Sequence, residues 1–179
     1  MLHIIVRRDK PLDERIAICP GSFDPITKGH LDIIKRASAM FDKVIVVAMN
    51  NADKKFFFTE EQRVSMMERS VKEAKLKNVQ VDSYNGLLAD YMRENNAVAI
   101  VKGLRAVSDF EYEFQMALLN KKLYPKAETV FLTTSQENLY LSSSMVKSIA
   151  SANGDFSEFV PACIYNDIKN RFEKKGCSL

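Results

Sequence analysis

The stretch "RIAICPGSFDPITKGHLDIIKRASAMF", residues 15–41, carries the pattern on which the interpretation of the whole chain depends. Its apolar run ends at Cys19, and "PGSFDPITKGH" (20–30) then brings two prolines, two glycines, Asp24 and His30. The amphipathic stretch that follows is typical of a helix. We therefore predict a strand, a crowded turn and a helix, with His30 beside free N–H groups that attract anions. A stiff turn with a capping histidine is the simpler alternative for His30 alone.

Four further apolar runs of strand length alternate with helical segments. They are "KVIVVAM" (43–49), "VQVDSY" (79–84), "AVAIVK" (97–102) and "TVFLTT" (129–134). Several are apolar at consecutive positions, as in parallel strands that helices cover on both faces. The sequence predicts an α/β fold with a doubly wound, five-stranded parallel sheet and additional helices at its C-terminal end.

Two of the intervening helices begin with a capping-box pattern. The pairs are Thr59 with Gln62 and Ser108 with Glu111. In the second helix, apolar residues recur at every fourth position, and we expect them to form its inner stripe. These residues are Phe110, Phe114 and Leu118.

Length and composition limit the possible functions. The 179 residues are most simply an N-terminal extension, residues 1–14, and a single domain, residues 15–179. A balance of 26 Lys+Arg against 23 Asp+Glu is too mild to indicate a nucleic-acid or membrane partner, and it fits a small anionic ligand. No run approaches the roughly 18 apolar residues of a membrane span. Three cysteines without metal-ligand spacing, Cys19, Cys163 and Cys177, are typical of a reducing cytoplasm.

Ligands of doubly wound sheets bind beyond the carboxyl ends of the strands, so the other strand-to-helix loops are also candidates. The loop after the second strand contains Lys54 and Lys55. The segment "NLYLSSSMVK" (138–147) places three serines at a helix start, where hydroxyl and free N–H groups serve an anion. Serine is also a common N-cap, so one of the three needs no further explanation.

The loop after the fourth strand adds two cations. Lys102 ends an apolar strand, Gly103 allows a turn, and Arg105 follows. A lysine beside an apolar strand carries a desolvation cost unless an anion meets it, which favours a functional role. Together the four loops suit a polyphosphate. The chain nevertheless lacks the P-loop, the G-x-G-x-x-G fingerprint and the nucleophile elbow.

These motifs resemble those of the nucleotidyltransferase superfamily, which has a Rossmann-like fold. "TKGH" (27–30) takes the place of its H-x-G-H signature, while "KGLRAVSDFEYE" (102–113) and "LSSSMVK" (141–147) narrow the resemblance to the bacterial phosphopantetheine adenylyltransferases. The resemblance covers about residues 15–172 and implies in-line transfer of the adenylyl group of ATP, with Mg²⁺, to 4′-phosphopantetheine. It also implies a cytoplasmic homohexamer that coenzyme A inhibits.

The resemblance further implies a role for individual residues, with no metal ligand among them. The implied catalytic residues are Ser22, His30, Lys54 and Arg105, with His30 as the transition-state stabiliser. The implied ligands of the acceptor substrate are Ser22, Lys54, Leu88 and Lys102. The implied ATP-binding residues are Ser22, Phe23, His30, Gly103, Leu104, Arg105, Glu113, Asn138, Leu139, Tyr140, Leu141, Ser142, Ser143 and Ser144.

Two positions depart from the family pattern. Ser22 stands for the usual threonine and keeps the hydroxyl, whereas Lys102 stands for the usual arginine and gives up bidentate phosphate geometry.

Two other functions remain as alternatives. One is a relative that acts on nicotinamide mononucleotide or, with CTP, on glycerol phosphate, which the cationic turn and Glu113 disfavour. The other is a catalytically silent nucleotide-binding or assembly module, which retention of the catalytic set disfavours.

Overall fold

The structure, a computed structural model, describes residues 14–50, 54–105 and 107–176. Residues 1–13 of the expected extension, and Cys177, lie outside this part of the chain. The strands are β1 Ile16–Gly21, β2 Lys43–Met49, β3 Val79–Tyr84, β4 Ala99–Leu104 and β5 Glu128–Thr133. The helices are α1 Lys28–Met40, α2 Glu60–Glu73, α3 Leu88–Glu94, α4 Val107–Leu123, α5 Ser143–Ser151 and α6 Tyr165–Gly176, with 3-10 turns at Gln136–Asn138 and Ala162–Ile164.

The five strands form one parallel sheet in the order β3-β2-β1-β4-β5. Strands β2 and β3 thus lie on one side of β1. The chain then crosses to the other side of β1, where β4 and β5 lie. The predicted doubly wound α/β fold is confirmed. Because the connections after β1 and β4 leave in opposite directions, a crevice opens between them at the carboxyl edge, where such sheets bind ligands.

Successive side chains of the central strands point to opposite faces of the sheet, and helices cover both faces. In β1, Ala17 and Cys19 join a core cluster with α1, α2, α5 and α6, whereas Ile18 joins a second cluster with α3. Strands β2 and β4 divide their side chains in the same way. Each strand therefore needs apolar residues at consecutive positions, which is the pattern seen in the sequence. None of the described helices is long and apolar enough to cross a membrane.

The capping-box prediction is confirmed for α2 and wrong for α4. Gln62 N–H donates to Thr59 Oγ1 over 3.3 Å, and Thr59 N–H donates to Gln62 Oε1 over 3.0 Å. Helix α4 begins at Val107, so Ser108 lies inside its first turn rather than at its N-cap.

The apolar stripe of α4 does not face the core. Phe110, Phe114 and Leu118 are 43%, 46% and 57% exposed. The prediction of an inner stripe is therefore wrong for the chain on its own. Periodicity shows that a helix has an apolar face, but it does not show which surface covers that face.

Strand β4 extends two residues beyond the predicted end at Lys102, so that Gly103 lies in the strand rather than in a turn. A Cβ at Gly103 would lie 2.8 Å from Cγ1 of Ile33 in α1. Glycine here allows close packing of the helix on the strand, and the predicted turn is wrong.

Candidate functional site

The loop after β1 is the centre of the candidate site. It contacts the loop after β2 through Ser22 and Asp24, and it contacts α5 through Asp24 and Pro25. Arg105, which follows β4, donates from Nη1 to the carbonyl of Leu141 over 3.2 Å. The carboxyl edge of the sheet therefore brings together all four loops that the sequence singled out.

The Lys54 ammonium lies beside the Ser22 hydroxyl. Its Nζ donates to Ser22 Oγ over 2.8 Å, across 32 positions of sequence. The same Nζ lies 5.8 Å from the centre of the Phe56 ring. Lys54 is otherwise exposed, so a cation and a hydroxyl face solvent side by side. Two such donors suit a phosphate oxygen.

Asp24 connects three of the elements around the site. Its carboxylate is 2% exposed and accepts from the backbone N–H groups of Phe57 and Phe58. It also pairs with Lys147 of α5 at 2.8 Å. Burial alone would raise the pKa of Asp24, but Lys147 and the two N–H groups bring that pKa below its ordinary value. Asp24 is thus an ionised anchor for the Lys54 loop and for α5.

His30 is the third residue of α1, and its side chain completes the N-terminal cap. His30 N–H donates to Thr27 Oγ1 over 3.3 Å, and Thr27 N–H donates to His30 Nδ1 over 3.0 Å. Burial, and then the charge of Arg105, lower the pKa of His30 to about 4. The imidazole is therefore neutral near pH 7. Since Nδ1 accepts, the proton is assigned to Nε2, which remains a donor on the other side of the ring.

The three serines have different surroundings. Ser142 is the N-cap of α5 and accepts from Met145 N–H over 3.1 Å. Ser143 donates from Oγ to the carbonyl of Pro25 over 2.7 Å. Ser144 is exposed in the first turn. One serine thus closes the helix and the next attaches it to the loop after β1, while the free N–H groups of α5 remain at the edge of the sheet.

Lys102 is held by an acidic partner. Its Nζ lies 3.2 Å from a carboxylate oxygen of Glu113 in α4. Both side chains keep about a quarter of their surface exposed, so the pair borders the crevice.

The thiol of Cys19 in β1 is buried, and burial raises its pKa to about 12 although the nearby charge of Lys102 acts to lower it. Cys19 is therefore an unreactive core residue.

The remaining predicted residues lie around this centre. Phe23 is buried with a positive φ of 46°, and its ring meets that of His30 edge to face at 5.1 Å. Asn138 donates to Ser135 Oγ over 2.7 Å. Leu139 and Tyr140 are 46% and 60% exposed. Leu88, Gly103 and Leu104 occupy the start of α3 and the end of β4, and Leu88 packs against the core cluster on the α3 face.

Sequence reasoning missed three supporting residues, namely Asp24, Arg63 and Lys147. Arg63 in α2 is 1% exposed and donates from Nη1 to the carbonyl of Ser22 over 2.7 Å. The signal was available, because this arginine occupies a position on the helix face that also carries Met66, Met67 and Ser70. A charged residue on a buried face indicates a specific partner.

Within the described ranges, no three His, Cys, Asp or Glu side chains are grouped so that they could hold a metal ion. The carboxylate of Asp24 is already engaged by Lys147 and two backbone N–H groups.

Comparison with known proteins identifies the relatives of this chain. The cytidylyltransferase-like family matches residues 18–149. The chain is 54% identical, over 157 residues, to a phosphopantetheine adenylyltransferase of Clostridium perfringens, covering 88% of this chain and 94% of that one. A phosphopantetheine adenylyltransferase of Caldanaerobacter subterraneus is 52% identical over 160 residues, which are 89% of this chain and 99% of the relative.

A solved structure supports the fold. The nicotinic acid mononucleotide adenylyltransferase of Plasmodium falciparum, complexed with NaAD, superposes with a TM-score of 0.65 over 91% of this chain and 96% of that chain. Its sequence is 15% identical, so this likeness concerns the fold alone.

Proposed function

Because the chain belongs to the phosphopantetheine adenylyltransferase family, we propose how its four loops carry out that family's reaction. The enzyme transfers the adenylyl group of ATP to 4′-phosphopantetheine and releases pyrophosphate, which forms dephospho-coenzyme A on the route to coenzyme A. An oxygen of the acceptor phosphate attacks the α-phosphorus of ATP in line. The new P–O bond forms as the bond from the α-phosphorus to the bridging oxygen of pyrophosphate breaks, with no covalent enzyme intermediate.

The acceptor phosphate binds between Lys54 and Ser22 in this proposal. The 2.8 Å contact of Lys54 Nζ with Ser22 Oγ supports it, because two loops distant in sequence present adjacent donors. Lys102 supplies a second cation at the border of the crevice, and Leu88 lies along the pantetheine arm. The reaction needs mainly charge stabilisation and alignment of the two substrates, which fixed donors provide.

His30 stabilises the transition state from its Nε2–H group. Charge accumulates on the non-bridging oxygens of the α-phosphate during transfer, and a preorganised donor lowers that barrier. The hydrogen bond from Thr27 N–H to Nδ1 supports this role, since it leaves the proton on Nε2. A neutral imidazole donates without a change of protonation state, so the step needs no general acid or base.

ATP binds along β4 and α5. Arg105, which donates to the carbonyl of Leu141, and the N-terminus of α5 at Ser142–Ser144 face the triphosphate. Phe23, Gly103, Leu104, Glu113, Asn138, Leu139, Tyr140 and Leu141 complete the nucleotide site. The nucleotide enters as its Mg²⁺ complex. The chemistry of the donor set fits this form, because Mg²⁺ binds phosphate and water oxygens readily and asks little of the protein.

The exposed apolar stripe of α4 supports self-association. Phe110, Phe114 and Leu118 would be covered by another copy of the chain in the homohexamer that we propose.

Coenzyme A carries both the adenylyl and the pantetheine groups of the two substrates, so we propose that it inhibits by competing for the same crevice. Nucleic acids and membranes are not partners in this proposal, and the enzyme acts in the cytoplasm.

The meeting of Ser22, His30 and Lys54 at one sheet edge, in a chain of this family, carries the proposal. The test is pyrophosphate release with ATP and 4′-phosphopantetheine, run beside nicotinamide mononucleotide and beside CTP with glycerol phosphate. We expect turnover with phosphopantetheine only. Lys54→Ala and the neighbouring control Lys55→Ala are then compared in the same assay.

His30→Ala is expected to lower turnover by about 10²–10³-fold while ATP still binds. The variant would contradict the role of His30 if it kept more than half of the wild-type rate. Comparable turnover with nicotinamide mononucleotide would overturn the choice of acceptor.

A further inference from the structure

Arg63 is a buried cation whose hydrogen bonds converge on the loop that carries Ser22. It lies in the first turn of α2 and is 1% exposed. Its Nη1 donates to the carbonyl of Ser22 over 2.7 Å, and its Nη2 donates to the side-chain oxygen of Asn50, just after β2. Nε has no hydrogen-bond partner in the part of the chain that the structure describes. The guanidinium thus connects the residue that follows β2 with the residue that follows β1.

The same guanidinium lies over the Phe56 ring. Its Cζ is 4.0 Å from the ring centroid, while Lys54 Nζ is 5.8 Å from the same centroid. Contact at this distance orients the ring, because a delocalised planar cation stacks well on an aromatic face. Phe56 is two residues beyond Lys54, so fixing this ring limits where the Lys54 side chain starts.

Burial of the Arg63 charge costs free energy, so a role in holding the two loops explains the residue better than packing does. Burial lowers the pKa of Arg63, and the carboxylates of Asp24, Glu60 and Glu61 oppose that shift. Apolar residues of similar volume often stabilise a core better than a buried ion does. An arginine that only filled space would be replaceable, whereas the fork of a guanidinium can hold two loops in a fixed relation.

We propose that Arg63 is a positioning residue: it holds the Ser22 main chain and the Phe56 ring together, and thereby places Lys54 Nζ beside Ser22 Oγ where the acceptor phosphate binds. This inference rests on the proposed function only for the identity of the ligand. The placement of Lys54 by Arg63 is a property of the free protein. Two separate measurements therefore test the placement and its consequence.

The first measurement is the amine reactivity of Lys54 in the free protein. It is measured by limited acetylation and mass spectrometry. Lys55, also exposed, is the internal reference. We expect the Lys54-to-Lys55 labelling ratio to rise about threefold or more in Arg63→Met, because the neutral amine is the nucleophile and the loss of its hydrogen-bond partner leaves it freer to react. Arg69→Met is the matched control, since Arg69 lies on the same helix but binds Asp167 and the Cys163 carbonyl.

The second measurement separates the two substrates. In Arg63→Met we expect KM for phosphopantetheine to rise about 10-fold to 100-fold, since small misplacements of binding groups have effects of this size, while the Kd for ATP stays within about twofold. Arg63→Lys keeps the charge but not the fork, and we expect it to stay defective. A lysine variant with wild-type KM would show that only the charge matters and would overturn the inference.

The outcomes distinguish this inference from the proposed function. An unchanged labelling ratio in Arg63→Met, or equal effects in Arg63→Met and Arg69→Met, would overturn the positioning role whatever the activity. A raised ratio in Arg63→Met, together with no turnover of the wild-type protein with phosphopantetheine, would support the placement and overturn the proposed function instead. Circular dichroism checks folding, and Arg63→Lys replaces Arg63→Met in both measurements if the methionine variant does not fold.

Discussion

The half-buried imidazole of His30 couples the stability of the fold to pH. Burial and the charge of Arg105 lower its pKa from 6.5 to about 4 in the folded chain. In the unfolded chain the same group titrates near 6.5. Between these values the unfolded chain binds a proton that the folded chain does not. The free energy of unfolding therefore falls as the pH drops from about 6.5, and the loss is complete below about pH 4.

The size of this effect follows from the two pKa values of His30. Each unit of pKa corresponds to about 1.4 kcal/mol, so the complete loss is about 3 kcal/mol. At about pH 5 the unfolded imidazole is almost fully protonated and the folded one is still mainly neutral. His30 alone then lowers the free energy of unfolding by about 2 kcal/mol relative to pH 7.5.

Urea unfolding of the wild-type protein and of His30→Gln, at about pH 7.5 and pH 5, measures this contribution. Glutamine retains an oxygen that can accept from Thr27 N–H, but it does not titrate. All other ionisable groups are common to both proteins, so the difference between the two pH dependences isolates His30. We expect the wild-type protein to lose about 2 kcal/mol more than the variant.

Equal pH dependence of the two proteins, to within about 0.5 kcal/mol, would refute the reasoning. It would mean that His30 titrates near its ordinary pKa in the folded chain. The imidazole would then gain a proton on Nδ1 in mild acid. Nε2–H would remain a donor, but Nδ1 could no longer accept from Thr27 N–H, and the explanation of catalysis without a change of protonation state would no longer hold.

Three further predictions concern other parts of the fold. Gly103→Ala is expected to lower stability by about 1–3 kcal/mol, because its methyl group would lie 2.8 Å from Ile33 Cγ1. Gly29→Ala, whose nearest neighbours are 3.6 Å away, is the control, and equal thermal unfolding of the two variants would contradict this account. Asp24→Asn is expected to cost about 2 kcal/mol or more at neutral pH. The folded-state pKa of Asp24 lies below its unfolded value, so the difference from wild type disappears in acid; a difference that persisted at low pH would argue against an ionised anchor. Phe114→Glu is expected to yield a smaller species in analytical ultracentrifugation, and an unchanged assembly would exclude the α4 stripe as the interface.

The strands could be predicted closely because their signal is local. Strands β2 and β3 have the predicted bounds, since runs rich in Val and Ile between turn residues can hardly be placed otherwise. The end of β4 was misplaced at Lys102. Lysine and glycine look like a strand end in the sequence, and only the contact with Ile33 shows why a strand continues through Gly103.

The partners of the supporting residues could not be predicted because they are distant in sequence. Asp24 and Lys147 are 123 positions apart, and Arg63 reaches Ser22 across 41. A single sequence does not reveal such pairs. The residues that face the crevice, among them Ser22, could be nominated because loops at strand ends expose them. The residues that hold those loops are buried beneath them. Arg63, for example, is a charged residue on a helix face whose periodicity predicts apolar residues.

The start of α1 has a consequence for redesign. The ring of His30 both caps the helix and offers a donor. A new side chain at this position must therefore accept from Thr27 N–H and, in the proposed mechanism, also reach the nucleotide. Lysine and arginine lack an acceptor and so leave that amide unsatisfied. Libraries aimed at new acceptors are best built with Thr27 and His30 held constant, and with variation placed around Leu88 and Lys102, where exchange leaves the architecture of the turn intact.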